Sequence, residues 1–536
     1  MRKITNPILK GFNPDPSIIR VEDDYYIVTS TFEWFPGFQI HHSKDLINWQ
    51  LIKRPLERVS QLDMKGIPDS CGIWAPCITH HEGVFYLLYC NVKSFNGNWK
   101  DTPNYLVTAT DINGPWSEPT FLNSSGFDSS LFHDDDGKSY FVNMLVDHRK
   151  GKFFGGIVLQ EFCKKSKQLI GKIFHIFEGT EHGRTEGPHI YKRNGYYYLL
   201  TAEGGTSYEH CITLARSRSI QGPYEVHPNN PLITAKYNPD AYLQKTGHGD
   251  LVQTQQGDWY AVFLTGRPLS KLGRCITGRE SAIEKVEWHD DDWLYLSCGG
   301  QQAREFVEAP DLAEYKFEQS PQIVEFSGNE IDINFQSLRI PMTSDWVNTT
   351  DRAGYLRLYG RESLSSCFEQ SFIARRVQAQ HSIAATCLEF SPENFQQMSG
   401  LVCFYNTFHY HYLHVFGDDF GSYSGRKYLT ILSCDNHVTS EPNLSPIEIT
   451  GVDKVYLKAE FFGETLQFYF AVEKDQWQKI GGALDGSILS DDYVEHGETR
   501  FHPCFTGAFY GLACQDLSGQ NLHADFSYFQ YLEGEK

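Results

Sequence analysis

The sequence predicts an all-β protein: a five-bladed β-propeller over residues 1–305, a connecting segment over 306–338 and a C-terminal, jelly-roll-like β-sandwich over 339–536. Three observations lead there. An aromatic strand recurs five times behind a tight turn, a second turn recurs in three of those units, and the register then gives way to alternating strands. A chain of 536 residues also exceeds what one hydrophobic core usually serves, so two domains are expected.

The five repeats are Glu22-Asp-Asp-Tyr-Tyr-Ile-Val, Glu82-Gly-Val-Phe-Tyr-Leu-Leu, Asp136-Gly-Lys-Ser-Tyr-Phe-Val, Asn194-Gly-Tyr-Tyr-Tyr-Leu-Leu and Gln256-Gly-Asp-Trp-Tyr-Ala-Val. Asn-Gly and Asp-Gly between hydrophobic runs mark hairpins, because glycine accepts a positive φ without a Cβ clash. Aligned on their shared tyrosine, the repeats stand at Tyr26, Tyr86, Tyr140, Tyr198 and Tyr260, with gaps of 60, 54, 58 and 62 residues. Downstream, Ser43-Lys-Asp-Leu-Ile-Asn-Trp, Thr110-Asp-Ile-Asn-Gly-Pro-Trp and Ser217-Arg-Ser-Ile-Gln-Gly-Pro-Tyr each read as a turn closing a later hairpin of the same unit. Units of this length, rich in strand signals and poor in helical periodicity, fit four-stranded propeller blades. A generic sandwich requires no such period.

After Trp293-Leu-Tyr-Leu-Ser-Cys-Gly-Gly the register is lost. From Gln301 to about Leu338 no strong periodicity appears, which reads as a connection. Beyond it, Gly354-Tyr-Leu-Arg-Leu-Tyr-Gly and Lys454-Val-Tyr-Leu-Lys-Ala-Glu-Phe alternate as sandwich strands do.

Composition narrows the function. The formal charge is −20, from 47 basic and 67 acidic residues, which repels phosphate backbones and anionic membranes alike. No apolar run approaches membrane-spanning length, and no apolar h-region follows the first residues. The 13 cysteines include no C-x-x-C pair, so free thiols in a reducing cytoplasm are expected, with substrates small enough to be imported. Aromatic residues make up 14% of the chain, which suits both a β-rich core and sugar stacking.

The register also points to a site. Twelve residues before the shared tyrosine stand Trp74, Asp128, Glu186 and His248, and eleven before the first stands Asp15. Equivalent blade positions converge on a propeller axis, so these five should ring one funnel. Singly each is weak: Asp15 in Asn13-Pro-Asp-Pro and Glu186 in Thr185-Glu-Gly-Pro would pass for turn acids. Together, three carboxylates suit glycosidic cleavage, in which one carboxyl protonates the leaving oxygen and another activates water or attacks. Like charges would keep the donor protonated near neutral pH. Trp74 and Phe32 offer flat faces for a sugar ring, and an arginine in Gly278-Arg-Glu, after the fifth blade, would clamp hydroxyls. There is no G-x-S-x-G elbow, Walker loop or H-E-x-x-H helix. His409, His411 and His414 look like a metal cluster but read better as a polar, aromatic strand face.

These residues resemble glycoside hydrolase family 43, in its two-domain β-xylosidase and α-L-arabinofuranosidase branch. The resemblance runs nearly end to end. It is carried by Asn13-Pro-Asp-Pro-Ser, Phe32-Glu-Trp-Phe-Pro-Gly, Gly72-Ile-Trp-Ala-Pro, Phe127-Asp-Ser-Ser-Leu-Phe, Thr185-Glu-Gly-Pro, Gly247-His-Gly-Asp and Gly278-Arg-Glu. It implies inverting, exo-acting release of terminal xylose or arabinose from short xylo- or arabino-oligosaccharides. Asp15 would be the general base, Glu186 the general acid, and Asp128 the residue that orients Glu186 and raises its pKa. Arg279 matches the family's substrate-binding arginine, Phe509 its sandwich-loop aromatic over the active-site mouth, and His248 a channel histidine that in some members contacts a cation such as calcium. No cofactor is required by this reading, and a homodimer or homotetramer remains open. One departure stands out: Asn143-Met-Leu-Val-Asp-His-Arg carries Val146 where the branch usually has tryptophan, which bears on leaving-group specificity. Two other readings remain at this stage, a retaining fructosidase of similar plan and a non-catalytic sugar-binding propeller.

Overall fold

Every repeated turn becomes a hairpin, and the shared tyrosines all fall on the second strand of a blade. The computed structural model describes residues 2–95, 97, 99–149, 152–418, 425–443, 445–496 and 504–534. By its contacts the chain forms two units, one of Met1–Met64, Ser70–Leu272 and Arg279–Glu318, the other of Lys65–Asp69, Gly273–Gly278 and Gln319–Lys536.

Among the described residues the first unit contains five antiparallel sheets of four or five strands, besides one two-stranded pair. The first pairs Ser17–Val21, Asp24–Thr29, Gln39–Ser43 and Gln50–Lys53 in order. The second is built on Cys77–His81, Val84–Val92, Asn104–Ala109 and Thr120–Asn123, with Gly72–Ile73 extending its inner edge. The third runs Gly126–His133, Ser139–Val146, Phe154–Cys163 and Gln168–Phe177. The fourth runs Glu186–Arg193, Tyr196–Glu203, Cys211–Ser217 and Glu225–Val226, and Ile233–Thr234 also pairs with its third strand. The fifth runs Gln244–Gln253, Trp259–Gly266, Glu280–Trp288 and Leu294–Leu296. The turn chemistry is as expected: Glu82 with Gly83, and Asn194 with Gly195, all adopt positive φ, which matches the twist of the strands they join. The second recurring turn lies between strands three and four of its blade in all three cases.

Apolar side chains from adjacent blades fill the wedges between them. Tyr198, Leu200 and Ile212 of the fourth blade meet Leu251, Phe263 and Trp293 of the fifth. Ile18 and Ile27 of the first meet Val252, Val262 and Ile283 of the fifth, so the ring closes on itself. Each such side chain contributes about 2 kcal/mol through its removal from water. The N-terminal segment fastens the closure. Asn6 donates to the carbonyls of Ile283 and Arg304, both at 2.8 Å, and Lys3–Thr5 pairs with Phe306–Glu308.

Two expectations change in detail. Arg279 does not follow the fifth blade but lies inside it, one residue before its third strand. The stretch 306–338 is also less bare than its sequence suggests. It holds the short strands Phe306–Glu308, Ile323–Glu325 and Gln336–Leu338, each too brief to show a period, and the chain changes units within it, between 318 and 319.

The second unit is a pair of antiparallel sheets. One orders Val347–Asn348, Leu356–Tyr359, His523–Glu533, His381–Glu389, Lys454–Phe462, Thr465–Ala471 and Gln478–Asp485. The other includes Lys427–Asp435, His409–Gly417, Gln397–Asn406, Phe509–Asp516 and Ser371–Arg376. Their faces meet at Phe461 and Tyr510, with ring centroids 5.4 Å apart, and the Tyr510 hydroxyl donates to the carbonyl of Ser382 at 3.0 Å. The histidine strand is a polar, aromatic face: His411 Nδ1 meets the Ser433 hydroxyl at 2.8 Å, and His414 Nδ1 meets the carbonyl of Tyr412 at 3.2 Å.

Candidate active site

The innermost strand of each blade places one residue of the ring. Asp15 stands two residues before Ser17–Val21, and Trp74 lies between Gly72–Ile73 and Cys77–His81. Asp128 lies within Gly126–His133, Glu186 opens Glu186–Arg193, and His248 lies within Gln244–Gln253. The three longest of these strands are bulged at the site, with register shifts between Phe127 and Ser130, Glu186 and His189, and Gln244 and Gly249. A bulge re-aims a side chain by inserting one unpaired residue. Its backbone signature is clear at Asp128 and His248, with φ of 53° and 41°, and Asp15, just ahead of its strand, shares the left-handed conformation at 55°. Left-handed conformations cost non-glycine residues on the order of 1 kcal/mol each and cluster where function requires them.

Bulging brings the side chains together. Asp15 accepts from the Ser30 hydroxyl at 2.7 Å and from the Arg279 guanidinium at 3.3 Å. Arg279 also donates to the Thr206 hydroxyl at 3.0 Å. Its own position is secured by the next residue, Glu280, which is fully buried, clamped by Arg267 at 2.6 Å and bonded to the Gly11 amide at 2.7 Å. Asp128 accepts from the backbone N–H of Gly187 at 3.2 Å, the residue immediately after Glu186. His248 Nδ1 faces two acids, 3.7 Å from Asp15 and 3.9 Å from Asp128. Two glycines make room for this. A Cβ at Gly187, whose φ is +57°, would lie 2.9 Å from His248 Nε2, and one at Gly247 would lie 2.3 Å from the His210 ring.

Burial and like charge act together on Glu186 and Asp128. Burial, reinforced by the charge of Asp15, pushes the Glu186 carboxyl up to about 8, against a partial pull from Arg279 and Arg184. At neutral pH the Glu186 carboxyl is therefore held mostly protonated. Asp128 is also held well above the usual carboxylate range by burial, then by the charges of Glu186 and Asp15. Burial lowers His248 to about 4 despite Asp15, so its imidazole is neutral at pH 7. Aromatic rings wall the site: Arg279 lies 5.3 Å over the face of Phe32, whose ring is 6.3 Å from that of Trp74.

The comparisons with known proteins agree with this chemistry. Residues 4–294 match the model of glycosyl hydrolases family 43, and residues 323–532 match the β-xylosidase C-terminal concanavalin A-like domain. The chain belongs to glycoside hydrolase family 43. It is 52% identical to a β-xylosidase of Bacillus subtilis (strain 168), over 99% of this chain and 100% of that protein. It is 50% identical to xylosidase/arabinosidase 43B of Humicola insolens, over 99% and 98% of the two chains. The crystal structure of a xylan β-1,4-xylosidase from Bacillus halodurans C-125 superposes with a TM-score of 0.95 at 50% identity, covering 99% of this chain and 100% of that one. Family 43 membership decides among the three sequence readings in favour of the xylosidase/arabinofuranosidase.

Other family 43 expectations can be placed. Val146 is half-buried at the end of Ser139–Val146, opposite Phe154, with its N–H on the carbonyl of Ser125 at 2.9 Å. It is therefore not a closed blade-core position. Phe509 is fully buried in the second unit, first in its strand and opposite Arg376 and Phe404. Among the described residues no group of three His, Cys, Asp or Glu side chains is arranged to hold a metal ion. The residue to which the calcium expectation attaches, His248, faces the carboxylates of Asp15 and Asp128.

Several participants escape the repeat register. Ser30 and Thr206 lie on loops after the second strands of their blades, and His210, whose Nδ1 meets the carbonyl of Lys245 at 3.0 Å, lies beyond Thr206. Phe127, 4.9 Å from the Trp74 ring, and Phe95, also at 4.9 Å, complete the wall. The pair Gly204-Gly205, both at positive φ, was the one available sign that the loop carrying Thr206 is sharply folded.

Proposed function

We propose that this glycoside hydrolase acts at chain ends with inversion, releasing terminal xylose, and arabinose as well, from short xylo- or arabino-oligosaccharides. The observation that carries the mechanism is the pairing of a proton-loaded Glu186 with a guanidinium-bound Asp15 in one ring of residues. Asp15 takes a proton from water as the water oxygen bonds to the anomeric carbon. The glycosidic bond breaks, and its oxygen takes the proton of Glu186. Asp128 holds Gly187 and so aims that proton, while Arg279 orients substrate hydroxyls. The names of the relatives, β-xylosidase and xylosidase/arabinosidase, support pentosides as substrates. Thirteen cysteines without a C-x-x-C pair support a reducing compartment, the cytoplasm, which cell fractionation would check.

Proton NMR at early times tests the stereochemistry. The first sugar released should carry the anomeric configuration opposite to the substrate's, because water attacks directly. Retention would reveal a covalent intermediate and remove Asp15 from the general-base role.

Specificity is read from Val146. An aromatic side chain at this half-buried position would stack on the leaving sugar, a contact worth on the order of 1 kcal/mol. Valine offers no such platform, so arabinofuranosides should be cut at rates that rival or exceed those for xylosides. Val146→Trp is expected to raise kcat/KM on xylobiose relative to an arabinofuranoside by up to about tenfold. An unchanged ratio in a stably folded variant would retire this reading.

A further inference from the structure

Glu203 is the last residue of Tyr196–Glu203, the strand whose Ala202 pairs with Glu186, and its side chain has no solvent exposure. A carboxyl group in such a place must have its oxygens satisfied, and here two threonines do it. Oε1 accepts from the backbone N–H of Thr180 at 3.0 Å and from the Thr185 hydroxyl at 3.1 Å, and Oε2 accepts from the Thr180 hydroxyl. These bonds close the loop 180–185 onto the strand, and the last residue bonded, Thr185, directly precedes Glu186. The fit is tight, since a Cβ at Gly179 would lie 1.9 Å from the Thr185 hydroxyl. The next residue along completes the link: the Gly204 N–H donates to the carbonyl of Gly183 at 2.8 Å. Two residues further on stands Thr206, whose hydroxyl takes a hydrogen bond from Arg279.

We infer that Glu203 is a positioning residue for the proton donor, stapling the loop that ends at Glu186 to the loop whose Thr206 meets Arg279. It lies where an apolar side chain of similar volume would avoid the cost of burying a carboxyl group, so stability alone is a poor reason for it. Its three acceptor bonds instead fix the direction of entry into Glu186 from one side, as Asp128 fixes the exit through Gly187 on the other. Burial raises the Glu203 carboxyl above its ordinary range, with the threonine donors opposing.

The inference rests on Glu186 being the general acid, and the experiment separates the two. Glu203→Gln keeps the shape but offers one acceptor oxygen in place of two, and Thr185→Val removes a single bond. Both are compared with Glu186→Gln on xylobiose and on 2,4-dinitrophenyl β-xyloside, with thermal unfolding recorded for each. Misplacing the donor should cost Glu203→Gln about tenfold in kcat on xylobiose and little on the activated substrate, and Thr185→Val should show the same imbalance, smaller. The alkaline limb of the pH profile should also move to lower pH as water reaches Glu186. Equal losses on both substrates, or no loss, would overturn the positioning role. If Glu203→Gln fails to fold, Thr185→Val alone decides by the same criterion. If Glu186→Gln itself shows no leaving-group dependence, the general-acid reading has failed, and the role of Glu203 falls with it.

Discussion

Glu186→Ala is expected to lose about a thousandfold in kcat/KM on xylobiose but only about tenfold or less on dinitrophenyl xylosides, because good leaving groups depart without a proton. The pH dependence should follow. A donor must be protonated to work, so the native enzyme is active below the Glu186 pKa of about 8 and loses kcat/KM as pH rises through it. That limb should vanish in the variant when the activated substrate is used. A native profile that stays flat from pH 7 to 9 would show that Glu186 is not the group being titrated.

Asp15→Asn should behave in the opposite way. Every substrate needs an activated water whatever its leaving group, so the loss, about 10³–10⁴-fold, should be nearly uniform across aglycones. The variant also removes a charge that raises the pKa of Glu186, so the alkaline limb of its residual activity should shift to lower pH. A loss that depended on the leaving group would exchange the roles of the two acids. The two variants together thus test the assignment more sharply than either alone.

The propeller was legible because its signal is periodic. Five Gly-rich or acidic turns followed by a buried tyrosine can be aligned without reference to anything else, and the alignment carries Asp15, Trp74, Asp128, Glu186 and His248 along. What stayed hidden lies off that register. Ser30, Thr206 and His210 follow second strands at unequal distances, in loops whose lengths differ from blade to blade. Phe95 is one of 37 phenylalanines, and nothing in its neighbours distinguishes a pocket wall from a core, whereas Phe127 was marked only by its place beside Asp128. Arg279 was visible as a motif but was misplaced by one hairpin, because the long connection 267–279 between the second and third strands of the fifth blade carries no repeat signal. The short strands within 306–338 run three residues each, too few turns of the two-residue alternation to stand out from chance.

The hydrogen bond from Arg279 to Asp15 spans 264 positions of the chain, and this has a consequence for synthesis. At ordinary translation rates the ribosome adds that length in some tens of seconds. For that interval the nascent polypeptide carries Asp15 and, later, Glu186, yet lacks the guanidinium that bonds to Asp15. The wedge between first and last blades is equally unfilled, since Ile18 and Ile27 have no Val262 or Ile283 to meet. The ring of site residues is therefore completed in one late step, with ring closure. A truncated or stalled product should be inert and sticky along its unsealed flank, a natural handle for chaperones and proteases.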